Sequence, residues 1–245
     1  MRELIHRGVK GDAAVVLEGS HASDQKAVVA GLGQSVWNAT LSREGEVCHE
    51  LTRSPEADDL IDASSTVGDA LRMHARALRA GKNEHRLLRD DSLFIGQFHY
   101  GDFYNRVPTG CSPQGTRRWH PGWDRKFARK ELDGVIACAG IPMVINAATD
   151  WHFVGEAYEV DLEEDIVRAL RSAQSTVTGR DMPLAGTAVI TDVNPLVVVG
   201  CVPSVPCPFD VEFVHVDHEF VRIGNLLRWC KVGLLTVLNY LAEEG

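Results

Sequence analysis

The sequence of 245 residues lacks several features that would assign it to familiar functional classes. Its six cysteines, at positions 48, 111, 138, 201, 207 and 230, include no Cys-x-x-Cys pair, so neither a structural zinc site nor a disulfide framework is indicated. Acidic residues outnumber basic ones, 34 to 25, and the net charge of -9 argues against general nucleic-acid binding. No Gly-x-Gly-x-x-Gly or phosphate-binding loop is present.

Long apolar runs are also missing. The longest, residues 193–208, is interrupted by Pro195, Pro203 and Pro206 and is shorter than the ~20 residues that a membrane-spanning helix needs. The first eleven residues contain no apolar segment of the kind found in secretory signals. Together with the unpaired cysteines, this composition predicts a cytoplasmic protein with no membrane or nucleic-acid partner.

The middle of the chain alternates between strand and helix patterns. Strand patterns cover residues 34–47, 93–107, 110–119 and 151–160, and amphipathic helix patterns cover 60–78 and 124–139. Asp124 is a suitable N-cap for the second helix. The resulting order, β-α-β-β-α-β between residues 33 and 160, is that of a ferredoxin-like unit.

The flanking segments read as parts of a second α/β domain. An apolar run at 13–17 predicts a buried strand that ends in Glu18, and residues 161–178 predict a helix that stops at Gly179. Strands near 187–191 and 202–205 and a final helix at 219–241 follow. We therefore expect an α/β protein with an α+β insertion, divided at 1–32, 33–160 and 161–245.

Six short motifs carry a resemblance to a known family. They are GDAAVVLEG (11–19), GEVCHE (45–50), FYNRVPTGC (103–111), QGTRRWHPG (114–122), GEAYEVD (155–161) and LAGTAVITDVN (184–194). In this order and spacing the chain resembles the zinc-dependent amidohydrolases that include acetylornithine deacetylase, succinyl-diaminopimelate desuccinylase and aminoacylase. The match extends over most of the chain from Gly11 to Leu241.

The resemblance implies a fold, a reaction and partners. Members of that family have a zinc-exopeptidase-like α/β catalytic domain and a ferredoxin-like lid inserted in it, through which two copies form a homodimer. They use zinc-activated water to hydrolyse N-acyl or N-carbamoyl amino acids. Residues 33–160 match the lid, and the flanking segments match later parts of the catalytic domain.

The resemblance also assigns roles to individual residues. Glu18 matches a carboxylate zinc ligand, and His49 matches the lid histidine that stabilises the oxyanion in the partner subunit's active site. Asn105 and Arg118 match lid positions linked to substrate binding. Other interpretations stay open: a solvated glutamate, an ordinary exposed histidine, and polar turn residues beside prolines.

Several expected zinc-site residues have no match. The family's His-x-Asp pair, bridging aspartate and Glu-Glu pair precede the point that Gly11 matches. His215, four residues before Glu219, is a candidate for the last histidine ligand, although the closest variant of the pattern places that ligand before Val211. Because a catalytic zinc needs three protein ligands, we expect the isolated chain to be inactive. The alternative is a non-catalytic dimerisation module or remnant that pairs with a complete paralogue.

One further motif lies in the last third of the chain. Residues 191–194, Thr-Asp-Val-Asn, match the family's Thr-Asp-Ala-Asn. Pro195 and Leu196 follow where arginine or a similar polar residue is expected, so the resemblance leaves substrate anchoring at Asn194 open.

Overall fold

The computed structural model describes residues 2–16, 26–55, 59–81, 85–198, 202–206, 217–218, 220 and 222–243. The helices in these residues are α1 (Arg2–His6), α2 (Asp59–Ala80), α3 (Arg125–Ala137), α4 (Asp165–Thr178), α5 (Val193–Val198) and α6 (Ile223–Glu243). The strands are β1 (Ala13–Val15), β2 (Ala27–Gly31), β3 (Gly33–Arg43), β4 (Cys48–His49), β5 (Ser92–Tyr100), β6 (Arg106–Val107), β7 (Gly110–Trp119), β8 (Ile145–Gly155), β9 (Tyr158–Glu159), β10 (Leu184–Thr187) and β11 (Val202–Pro206).

Residues 33–155 form what we call the inserted module. Its four long strands make an antiparallel sheet in the order β5-β7-β3-β8, with α2 and α3 packed on it. Alternate side chains of β3, Trp37, Ala39 and Leu41, enter the core with Leu60 and Leu132 of the helices. This period of two is what a sheet covered on one face requires. The four long strands and the two helices follow one another in the predicted β-α-β-β-α-β order, and the short strands β4 and β6 lie between them.

The remaining described residues form the outer module. Its sheet has the order β1-β11-β2-β10, and β9 also pairs with β2. In its core, Val28 of β2 packs in one cluster with Leu170 of α4 and with Trp229 and Val232 of α6. The chain leaves this sheet after β2 and returns at β9, so the inserted module is a true insertion. None of the helices described is long and apolar enough to cross a membrane.

The structure departs from the sequence-based expectations at several points. The strand predicted at 151–160 is two strands: β8 starts earlier, at Ile145, and β9 belongs to the outer sheet. Strand β2 was not predicted, because all five of its residues are buried and show no alternation. The strand expected at 187–191 lies slightly earlier, at Leu184–Thr187.

Helix boundaries follow the expected capping chemistry. The Asp124 carboxylate accepts a hydrogen bond from the backbone N–H of Phe127 at 2.8 Å, which makes it the N-cap of α3. Gly179 ends α4 with a φ of 68°, a left-handed conformation that favours glycine.

A buried charge cluster joins the parts of the inserted module. Arg117 of β7 is fully buried and donates from Nε to Glu131 at 2.8 Å and from Nη2 to Asp91 at 3.1 Å. Asp91 also contacts Nδ1 of His120, and His74 of α2 lies 3.2 Å from Glu131. Burial alone would raise the pKa of Glu131, but His74 and Arg117 outweigh it and lower that pKa below its ordinary value of 4.5.

We predict that Arg117→Ala destabilises the protein by about 3–5 kcal/mol, because the buried carboxylate of Asp91 and the partly buried carboxylate of Glu131 lose their counter-charge. The measurement is urea unfolding at pH 7. Arg129→Ala is the matched control: Arg129 pairs with Asp133 on the exposed face of α3, so its loss should cost less than about 1 kcal/mol. Equal effects of the two substitutions would contradict the role given to the buried cluster.

Candidate functional site

Two of the residues singled out from the sequence meet at one end of the inserted module. His49 closes the short strand β4, which pairs antiparallel with β6 so that His49 lies opposite Arg106. Asn105 immediately precedes β6, and its Nδ2 lies 3.2 Å from Nε2 of His49. The two residues are 56 positions apart in the sequence, so the ribbon of β4 and β6 is what brings them together. Both side chains reach solvent.

Backbone hydrogen bonds hold this ribbon in place. The N–H of Glu50 donates to the carbonyl of Asn105 at 3.1 Å, and the hydroxyl of Thr52 donates to the carbonyl of His49 at 3.0 Å. Arg106 also forms an ion pair with Asp102 at 2.7 Å across the turn that carries Asn105. The positions of the two side chains are therefore set by ordered backbone.

The protonation of His49 follows from its backbone neighbour. Nδ1 accepts a hydrogen bond from the N–H of Leu51 at 3.2 Å, so this nitrogen carries no proton. In neutral histidine the proton is then on Nε2, which becomes a donor. An Nε2–H that faces the amide nitrogen of Asn105 places two donors side by side. Such a pair is satisfied when an acceptor bridges both N–H groups, or when the amide rotates to offer its oxygen.

An open cavity of about 590 Å³ adjoins Asn105. Its walls include Glu50, Arg53, Phe103 and Tyr104, and the rings of Phe103 and Tyr104 stack at 4.2 Å between centroids. Tyr104 is 89% exposed. The strand pattern over 93–107 predicts these aromatic residues within a strand, but β5 ends at Tyr100 and the stacked pair lies in the turn next to Asn105.

Arg118 lies at the opposite end of the inserted module. It sits near the end of β7, opposite Gln34 of β3, whereas the His49–Asn105 pair lies beyond the Gly110 end of the same strand. Eight residues of extended strand separate the two ends by roughly 25 Å. The Arg118 guanidinium donates to the carbonyl of Ala188 in the outer module, and its burial there lowers the pKa of Arg118. The structure therefore does not bring Arg118 to His49 and Asn105, and its contact with substrate remains a prediction.

The expected metal ligands cannot be placed. Glu18 and His215 both lie outside the described residues. Among the residues that are described, no group of three or more His, Cys, Asp or Glu side chains could hold a metal ion. The described part of the chain thus does not by itself supply a zinc site.

Comparison with known proteins gives a likeness of structure rather than of sequence. No family model matches the sequence, and no curated protein matches it significantly. Aminopeptidase PepT from Bacillus cereus superposes with a TM-score of 0.70 at 13% identity, over 96% of this chain and 59% of that one. A tripeptidase from Staphylococcus aureus gives 0.69 at 16% identity, over 98% and 60%.

A metallo-carboxypeptidase of the M20 family from Sulfolobus solfataricus is also similar, with a TM-score of 0.68 at 16% identity, over 96% of this chain and 64% of that one. The chain thus shares the fold of part of the M20-type metallopeptidases and amidohydrolases. It spans about 60% of the length of these relatives.

Proposed function

We propose that this chain serves the hydrolysis of N-acyl or N-carbamoyl amino acids, of the kind carried out by zinc-dependent deacetylases, and that His49 and Asn105 are its contribution to the site. In this proposal His49 acts on substrate held in the partner subunit, where it stabilises the oxyanion. The observation that carries the proposal is that the β4–β6 ribbon holds the side chains of His49 and Asn105 together, with Nε2 and Nδ2 3.2 Å apart.

The donor pair suits the charge that develops during amide hydrolysis. Attack of water on an amide carbonyl converts its oxygen to an oxyanion, and donors already aimed at that oxygen lower the barrier. With the proton of His49 on Nε2, this N–H and one from Nδ2 of Asn105 can both donate to a single oxygen that lies to one side of the pair, at hydrogen-bond distance from each nitrogen. The same geometry would also accept a substrate carboxylate oxygen, which suits an acylated amino acid.

The chain by itself is proposed to be an incomplete catalyst. Zinc, which the resemblance implies, would activate the attacking water. Glu18 and His215 are the candidate ligands of this chain, and two ligands are fewer than the three a catalytic zinc needs. In this proposal the further zinc ligands and the general base are supplied from outside this chain.

The alternative function is a non-catalytic module that assembles with a complete paralogue. Helix α6 favours it, because one face packs on the core through Trp229 and Val232 while the opposite face exposes apolar side chains. The exposed set is Ile223, Leu226, Leu227, Leu234, Val237, Leu238 and Leu241. An apolar stripe of this length is typical of a helix that packs against further polypeptide.

A homodimer through the inserted module is part of the proposal. Strand β5 lies at one edge of its sheet, pairs only with β7 among the described strands, and exposes Phe94 and Phe98. Between β5 and α2 runs a groove of about 530 Å³. Two copies related by a two-fold axis would pair their β5 edges antiparallel and cover these phenylalanines.

We predict that methylphosphonate, a tetrahedral oxyanion, binds between His49 and Asn105. Each hydrogen bond to a charged acceptor contributes about 1.5–3 kcal/mol, so half-saturation at roughly millimolar concentration is expected. The measurement is an NMR titration that follows the His49 ring resonances, and Asn105→Ala should weaken the binding severalfold.

The exposed His99–Gln97 pair is a matched internal control, because its ring nitrogen faces an amide oxygen at 2.9 Å rather than a second donor. The neutral dimethyl ester of the phosphonate should leave His49 unchanged. Equal shifts of His49 and His99 on titration would mean that the ion binds nonspecifically, and the donor-pair role would fail.

The purified chain is predicted to contain well below one zinc per molecule and to release no amino acid from N-acetyl or N-carbamoyl substrates. Elemental analysis and a ninhydrin assay measure the two quantities. One zinc per chain together with hydrolysis that disappears in Glu18→Ala and His215→Ala would show that the chain is a complete catalyst.

For the dimer, sedimentation velocity should show that the wild-type chain is a dimer and that the Phe98→Glu variant is a monomer. A carboxylate at the β5 edge cannot be buried in the interface without a partner. Phe127→Glu is the control, because Phe127 is similarly exposed on α3 and should leave the dimer intact. A wild-type monomer, or a Phe98→Glu dimer, would exclude this interface.

A further inference from the structure

The two modules are joined by two short linkers. Leu32 connects β2 to β3, and residues 156–157 connect β8 to β9. Asn194 of α5 lies beside both linkers and is fully buried. The side chain therefore lies next to both points of the chain path: the linker by which the chain leaves the outer sheet and the linker by which it returns.

The nitrogen of this amide donates to both linkers, and its oxygen accepts from the loop before α5. Nδ2 of Asn194 donates to the carbonyl of Glu156 at 2.7 Å and to that of Leu32 at 3.4 Å. Its Oδ1 accepts from the backbone N–H of Thr191 at 2.9 Å, which ties the amide to its own loop. A single side chain thus links both linkers to the start of α5.

Packing around the amide leaves little freedom. A β-carbon added at Gly155 would lie 2.8 Å from Cβ of Asn194. Added at Gly31 or Gly33, it would overlap the ring of Tyr158 or Trp119. Because these glycines let the linkers pass close to bulky side chains, the Asn194 hydrogen bonds act within a closely packed junction.

We propose that Asn194 is a positioning residue that sets the angle between the two modules by holding both linkers to α5. The inference concerns geometry and does not require the chain to be catalytic. If the proposed function is correct, this angle also determines where the module presents the His49–Asn105 pair.

The test uses the substitution Asn194→Asp. The carboxylate keeps the oxygen that accepts from Thr191, but it has no N–H to give to Leu32 and Glu156, and it repels their carbonyls. Cys138 in the inserted module and Cys230 on α6 are both exposed, so spin labels at these natural positions report the distance between modules. Cys48, Cys111, Cys201 and Cys207 are first replaced by Ser or Ala.

Double electron–electron resonance should give one narrow distance distribution for the parent protein. In Asn194→Asp the distribution should broaden at least about twofold, because the linkers can then rotate as a hinge. If this variant does not fold by circular dichroism, Asn194→Ser is measured instead, since it keeps an oxygen for Thr191 in a smaller side chain.

Thr236→Val is the matched control. It removes a buried hydroxyl that donates to the carbonyl of Val232 at 2.7 Å within α6 and leaves the junction untouched, and its melting temperature is measured beside that of the Asn194 variant. An unchanged distribution in a folded Asn194 variant would overturn the proposal. Equal broadening in Thr236→Val would also overturn it, since the effect would then reflect general loss of stability. Failure of the methylphosphonate titration would leave this result unaffected.

Discussion

The buried guanidinium of Arg117 constrains how a loop, a helix and a strand of the inserted module pack together. A charge with no exposure to water needs counter-charges at hydrogen-bond distance. Asp91, which precedes β5, and Glu131 of α3 must therefore meet at β7. Asp91 also contacts His120, which follows β7. The ion cluster thus joins a loop, a helix and a strand that the apolar core alone would hold less specifically.

The two ends of the inserted sheet have different roles. The end near β4 and β6 presents His49 and Asn105 to solvent, where a ligand or a partner subunit can reach them. The other end meets the outer module through Arg118, which donates to the carbonyl of Ala188, and through the two linkers beside Asn194. The antiparallel sheet spans the distance between these ends, so the angle at the junction sets where His49 and Asn105 lie relative to the outer module.

Most of the inserted module was predictable because it obeys local rules. One face of its sheet is covered, so β3 alternates, and α3 carries a recognisable Asp124 cap. The outer module was less predictable. Strand β2 is buried on both faces and has no alternation, and β9 has two residues and depends on β2 for its existence. In both strands the pairing partner, rather than the local sequence, decides the structure.

From the sequence alone, one obtains the β-α-β-β-α-β order, the identity of His49 and Asn105 as candidates, and a shortage of metal ligands. Periodicity and capping determine the order of the elements, since they act over a few residues, whereas the candidate residues and the missing ligands follow only from the resemblance to the amidohydrolase family. Only the tertiary structure decides that His49 and Asn105 meet, that Arg118 lies at the far end of the sheet, and that Asn194 bridges two linkers 124 positions apart (156 − 32). Those contacts depend on the register between paired strands and on the path by which the chain leaves and re-enters the outer sheet, and no local sequence pattern encodes either.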